Sequence, residues 1–233
     1  MSTDFSVPET TDTNLSGADL RDVLVEPLGA PRVFTRCDLS DADLREADLA
    51  GAFFTDCRLD GARLERSVLE GAVFTGGGAA GAVFAHADCT DARFDRADLA
   101  NTRWQGALLT DASFTGCRMT GAVLTSLRGV GYTFAQCNLM LARCQGLDLR
   151  GQTLEGLRMD ETDLSGADLS NTVWTESRLR GVSWVGASFL GADLRGADLG
   201  ETALDQAGHL RGATITPVQA GVLLGGLGIT VAQ

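Results

Sequence analysis

The stretch Phe34-Thr35-Arg36-Cys37-Asp38-Leu39-Ser40-Asp41-Ala42-Asp43-Leu44-Arg45-Glu46-Ala47-Asp48-Leu49 places an apolar residue at every fifth position. Helices repeat at 3.6 residues and strands at 2, so a period of five belongs to neither. The register runs without a slip from Phe34 to Leu204, and Gly129 is its only centre that is not apolar. Two residues before most centres stands a small side chain, as at Ala42, Ala47, Ala62, Ala82 and Ala92. The purest units read Ala-Asp-Leu, at 42–44, 47–49, 167–169, 192–194 and 197–199.

A longer period emerges when the centres are sorted every twenty residues. Phe34, Phe54, Phe74, Phe94, Phe114 and Phe134 fall in one column, followed by Leu154, Trp174 and Leu194. Four pentapeptides therefore make one turn of a solenoid, and residue i stacks on i+20. Stacked turns pair backbone to backbone at about 4.8 Å, with centres and small residues facing inward. The expected fold is all-β, a right-handed quadrilateral parallel β-helix of about nine coils and about 40 Å. Corners fall at the second residue after a centre, where glycines such as Gly51, Gly61, Gly121 and Gly196 suit positive φ. The remaining positions point outward and are read as free to vary.

The ends depart from this register. Residues 1–13 are polar and read as a flexible leader, and the β-helix is assigned to 14–215. Leu15 and Leu20 stand one position out of phase with Phe34, and the Pro- and Gly-containing stretch 25–31 reads as a loop or bulge that absorbs the slip. After Leu204 the phase shifts by one again. Thr216-Pro217 is a helix start, so 216–233 is read as a C-terminal helix and tail. No charge occurs from Gly212 to Gln233, which suits either a monomeric cap or a dimer interface through Val218, Val222, Leu223, Leu224 and Leu227. A second irregularity lies at Leu127–Thr133, where Gly129 takes a centre and Tyr132 a small slot; some coil there must bulge, as a recognition element or a tolerated fault.

Composition narrows the function classes. The net charge is −12 and all 19 cations are Arg, so direct binding of nucleic acid is disfavoured and a basic partner is favoured. No apolar run approaches the roughly 18 residues of a membrane span, and the N-terminus lacks the pattern of a signal peptide; a cytoplasmic protein is expected. The six Cys follow the repeat, with Cys37, Cys57, Cys117 and Cys137 in small slots and Cys89 and Cys144 at centres, and read as core filling. Zinc fits poorly because C-x-x-C spacing is lacking and only His86 and His209 can join them. Neither metal nor cofactor is expected, and no nucleophile-and-base constellation suggests an enzyme.

Charge sorts by side. The side centred on Leu49, Leu69, Cys89 and Leu149 carries Asp48, Glu70, Asp88, Asp91, Asp111, Asp148 and Asp168 against Arg128, Arg150 and Arg211. The opposite side, centred on Leu39 and Leu59, is also acidic on balance.

The Ala-Asp-Leu run resembles the pentapeptide-repeat proteins, whose fold is the right-handed quadrilateral β-helix. The single rod, acidic balance and apolar C-terminal helix resemble the quinolone-resistance branch, which includes Qnr-type proteins and the mycobacterial fluoroquinolone-resistance protein. That resemblance implies a dimeric rod imitating duplex DNA, with DNA gyrase or topoisomerase IV as partner and drug resistance or self-immunity as outcome. The seven carboxylates of the acidic side are then the candidate contacts. A scaffolding solenoid with another protein partner is the alternative, since fold by itself does not fix function.

Overall fold

The computed structural model describes residues 9–22, 24, 30–200, 208–226 and 228–229. The expected four-sided β-helix is present. On the first side β1 (Glu9–Thr11), β2 (Val33–Thr35), β3 (Phe53–Thr55), β4 (Val73–Thr75), β5 (Arg93–Asp95), β6 (Ser113–Thr115) and β7 (Thr133–Ala135) form one parallel sheet in chain order. Beyond it β8 (Thr153–Glu155) pairs with β9 (Val173–Thr175), and on the second side β10 (Ser177–Arg178) pairs with β11 (Ala197–Asp198). The other sides are too short for strands and are stitched by single parallel bridges twenty residues apart, such as Asp43↔Arg63 and Asp48↔Val68.

The centres fill the interior. The six Phe rings stack face to face with centroids 4.5–5.0 Å apart, which is the rise of one coil. Phe84 and Trp104, on the third side, stack on each other and meet this column edge-on. Each buried indole must find an acceptor, and Trp104 and Trp174 donate to the hydroxyls of Thr102 and Thr172 in their own small slots. The six cysteines are free and buried; burial drives the Cys57 thiol up to about 11 and that of Cys144 to about 12.

Left-handed corners do not depend on glycine. Asp41, Glu46, Arg66, Asp91 and Leu141 occupy the same corner position with φ near +60°. Gly196 is the reverse case and corrects the expectation for it. Its φ is not left-handed, but a Cβ there would lie 2.3 Å from the Trp174 carbonyl oxygen, so close approach demands the glycine.

Both end slips are accommodated by unequal coils. The first coil pairs with the second at a spacing of 24 residues, Thr10 under Phe34, Asn14 under Asp38 and Asp19 under Asp43. Structure therefore begins inside the stretch read as a leader, because Thr10 takes a centre and Glu9–Thr11 supplies the sheet with a further strand; residues 1–8 lie outside the described residues, as does most of 25–31. At the other end Asp193 pairs with Thr214, a spacing of 21. Helix α1 (Pro217–Gly225) then covers the last coil. Thr216 and Gln219 form a capping box, and the Gln219 amide also donates to the carbonyls of Leu194 and Ala197, closing the open edge of the solenoid.

The irregularity at 127–133 is a true bulge. Normally the amide preceding a centre donates to a carbonyl 21 residues earlier, as Asp168 does to Leu147 at 2.9 Å. For Asp148 that acceptor would be Leu127; instead the Tyr132 hydroxyl, on a side chain turned into the core, accepts the Asp148 N–H at 3.0 Å. Gln152, an oversized small slot, donates to the Tyr132 carbonyl, and the sheet breaks here between β7 and β8.

Candidate functional site

Residues flanking each centre point outward, and their chemistry decides what the rod offers. The Asp of the Ala-Asp-Leu unit is not free to vary, contrary to the reading of outward positions. The Oδ1 atoms of Asp43, Asp48, Asp88, Asp148 and Asp168 accept the backbone N–H two residues on at 3.0–3.3 Å, satisfying an amide that the coil leaves without a backbone partner. Where Gly78 replaces the Asp, Asp60 reaches up from the coil below to the Ala80 N–H at 2.9 Å. Much of the acidity is therefore corner chemistry first.

A second pattern removes charge. In the sequence Asp-Leu-Arg the guanidinium folds back onto the carboxylate in a bidentate pair, at Asp19/Arg21, Asp43/Arg45, Asp148/Arg150 and Asp193/Arg195. Hydrogen bonds from Arg150 hold the Asp148 carboxyl below the usual range. The tripeptide is visible in the sequence, but counting the charges separately hides the pairing.

The seven carboxylates of the acidic side divide accordingly. Glu70, Asp88, Asp91 and Asp111 share the fourth side of three consecutive coils and make no ion pair among the described residues. Asp48 lies one coil below; burial lowers the pKa of Arg32, and the Asp48 charge opposes that shift. Asp148 and Asp168 stand beyond the bulge and share Arg150, at 2.7 and 3.4 Å. At about 4.8 Å per coil, the unpaired group presents one carboxylate per roughly 3.6 Å, near the 3.4 Å phosphate spacing of a single DNA strand.

The opposite side does not repeat this. Its outward ladder reads Asp38, Arg58, Gly78, Asp98, Arg118, with Arg58 on Asp38 and Arg118 on Asp98. Further along, Arg178 pairs with Asp160 and Arg180 with Asp198. Among the described residues Asp41, Asp60 and Glu161 of this side, with Asp56 and Glu176 at its corner, make no ion pair, so the expected second acidic flank is neutralised in part. Gly77 and Gly78 leave a shallow hollow of about 440 Å³ on this side, bordered by Asp38, Asp56, Asp60 and Asp98. Among the described residues no three His, Cys, Asp or Glu side chains converge as a metal ion requires.

At the C-terminal end, Val218, Val222 and Leu224 of α1 are exposed, Val218 by 78%. Leu223 is partly buried and packs against the core, since a nine-residue helix lying on a coil must direct one face downward. Leu227 lies outside the described residues. No described helix is long and apolar enough to cross a membrane.

The family model for pentapeptide repeats matches this chain in eight copies, over residues 37–76, 81–125, 134–173 and 175–207. Among solved structures, a trypsin-treated point variant of QnrB1, a plasmid-mediated fluoroquinolone resistance protein, aligns over 96% of this chain and 97% of its own at 21% identity and a TM-score of 0.56. HetL, a pentapeptide repeat protein involved in heterocyst differentiation regulation in the cyanobacterium Nostoc sp. strain PCC 7120, aligns over 81% and 86% at 25% identity and a TM-score of 0.49. No curated protein sequence matches.

Proposed function

Because this chain belongs to the pentapeptide-repeat family, we propose that it is a DNA-mimicking, non-catalytic rod that binds DNA gyrase or topoisomerase IV in the cytoplasm, protecting the enzyme from a fluoroquinolone or a natural poison or inhibiting it. The observation that carries this reading is the row Glu70, Asp88, Asp91 and Asp111, which carries unpaired charge at the density of one phosphate strand. The likeness to QnrB1 is one of fold, and the charge geometry supports the rest. A basic DNA-binding groove is the surface such a row complements.

The C-terminal helix supports a dimer within the same proposal. A charge-free helix with Val218, Val222 and Leu224 exposed covers apolar surface when a second copy meets it end to end, and two rods in line double the length offered to a partner.

The test is a supercoiling assay with purified gyrase, with and without a fluoroquinolone. The wild-type chain is expected to inhibit supercoiling or rescue it from the drug, and the combined variant Glu70→Gln, Asp88→Asn, Asp91→Asn, Asp111→Asn to do neither. Asn at 88 keeps the corner acceptor, so folding is preserved. Neither inhibition nor rescue by wild type at micromolar concentration refutes the proposal. A second reading, a scaffold for a different protein, is favoured by the partial neutralisation of the second flank; it expects the wild type to be inert in this assay.

A further inference from the structure

We propose that the third side of the rod carries a separate docking face for an acidic protein segment. In four successive coils the third side and its two corners, residues 80–86, 100–106, 120–126 and 140–146, contain no carboxylate at all. The coil before holds Asp60 and Glu65, and the coil after holds Asp160, Glu161 and Asp163. In a chain with 31 acidic residues, a carboxylate-free window with such sharp borders is a local inversion of the surface.

Its cations are available. Most arginines of this chain lie on a carboxylate, yet Arg103 and Arg143 are exposed and make no ion pair or side-chain hydrogen bond among the described residues. Asp163, the carboxylate nearest in register to Arg143, feels that charge but is hydrogen-bonded by Gln145 and Ser165 and makes no ion pair with it. A third guanidinium comes from the neighbouring side: the Nε of Arg128, on the bulged coil, donates to the Gly106 carbonyl at 2.8 Å and so lies at the window's edge. Arg103 and Arg143 are two coils apart, about 10 Å along the axis. Carboxylates seven residues apart on one face of an α-helix are spaced by about 10.5 Å, so a helix lying along the rod meets both. The surface beneath it is half-buried Val123 and Thr125, with Leu141, 53% exposed, at the margin. Trp104 stacked on Phe84 at 4.1 Å fixes the wall from inside, so the two arginines are carried on rigid backbone.

The experiment uses the full chain and, as probe, a fluorescent alanine-based helical peptide with glutamates seven residues apart, alongside its glutamine counterpart, at low ionic strength. The glutamate peptide is expected to bind, and Arg103→Glu with Arg143→Glu to weaken it at least about tenfold. Arg103→Gln with Arg143→Gln should fall between, and the Glu70, Asp88, Asp91, Asp111 variant should bind undiminished. That last arm separates this face from the topoisomerase reading, since each can fail alone. Three results overturn the proposal: equal binding of the glutamine peptide, unchanged affinity in the double Glu variant with an intact circular dichroism spectrum, or no binding at about 1 mM peptide. Preferential capture of a duplex oligonucleotide through the same arginines overturns it as well, by assigning the face to nucleic acid.

Discussion

Replacing Tyr132 by Phe removes a single atom from the bulge where the coil ladder is broken, and the structure sets the consequence. The ring stays, with its edge contact to Phe134 at 6.1 Å, and the Asp148 N–H loses the acceptor it holds at 3.0 Å. An amide left unpaired away from water costs about 1–3 kcal/mol. Asp148 is half-buried, so water recovers part of this and about 1–2 kcal/mol is expected. Tyr132→Ala additionally empties a core site and should cost about 3–5 kcal/mol. Urea unfolding gives the stability, and hydrogen exchange gives the location: the Asp148 amide should exchange about 5–30-fold faster in Tyr132→Phe, while the Asp168 amide, one coil on with its ordinary carbonyl partner, should not change. A loss under about 0.5 kcal/mol together with unchanged Asp148 protection would refute the account of the hydroxyl as a substitute rung.

Three other predictions follow from the same geometry. Phe94→Ala deletes a ring stacked at 4.7 and 4.8 Å on Phe74 and Phe114 and should cost about 3–5 kcal/mol by urea unfolding, whereas Phe94→Leu, the residue found at 154 in this column, should cost much less; equal losses would mean that ring stacking is not what fills the side. Hydrogen bonds from Arg21 and Arg195 hold the Asp19 and Asp193 carboxyls near 2. Since these folded values lie below the unfolded one of about 3.9, the pairs stabilise the fold above about pH 4 and lose that contribution as pH falls toward 2. The melting temperature should therefore be flat from pH 7 to 5 and drop below 4, and a rise on acidification would contradict the sign. Val218→Asp with Val222→Asp, both outward on α1, should convert a dimer to a monomer by light scattering without altering the melting of the coils; an unchanged mass removes the end-to-end dimer.

The period-five centres, the Phe column every twenty residues and the Thr216-Pro217 start were sufficient for fold, coil register and terminal helix. They are legible because a solenoid uses the same local geometry in every turn, so that one-dimensional spacing is also three-dimensional stacking. The unequal first and last coils were legible too, as phase slips, although the strand at Glu9–Thr11 was not, because a Thr in the place of Phe carries no apolar signal. What the sequence could not decide is which carboxylates remain charged toward solvent. Asp98 and Asp88 each follow an Ala and precede an apolar centre, yet Arg118 of the next coil grips Asp98 while Asp88, with Leu108 above it, only caps a corner, because pairing depends on where a guanidinium comes to rest across coils. Likewise Leu223 and Leu224 are adjacent and equally apolar, and only the seating of α1 on the final coil sends one inward and the other to the surface. Sequence periodicity determines the rod because the repeat is local; its binding faces belong to tertiary structure, because charge, exposure and partner are properties of neighbours twenty residues away.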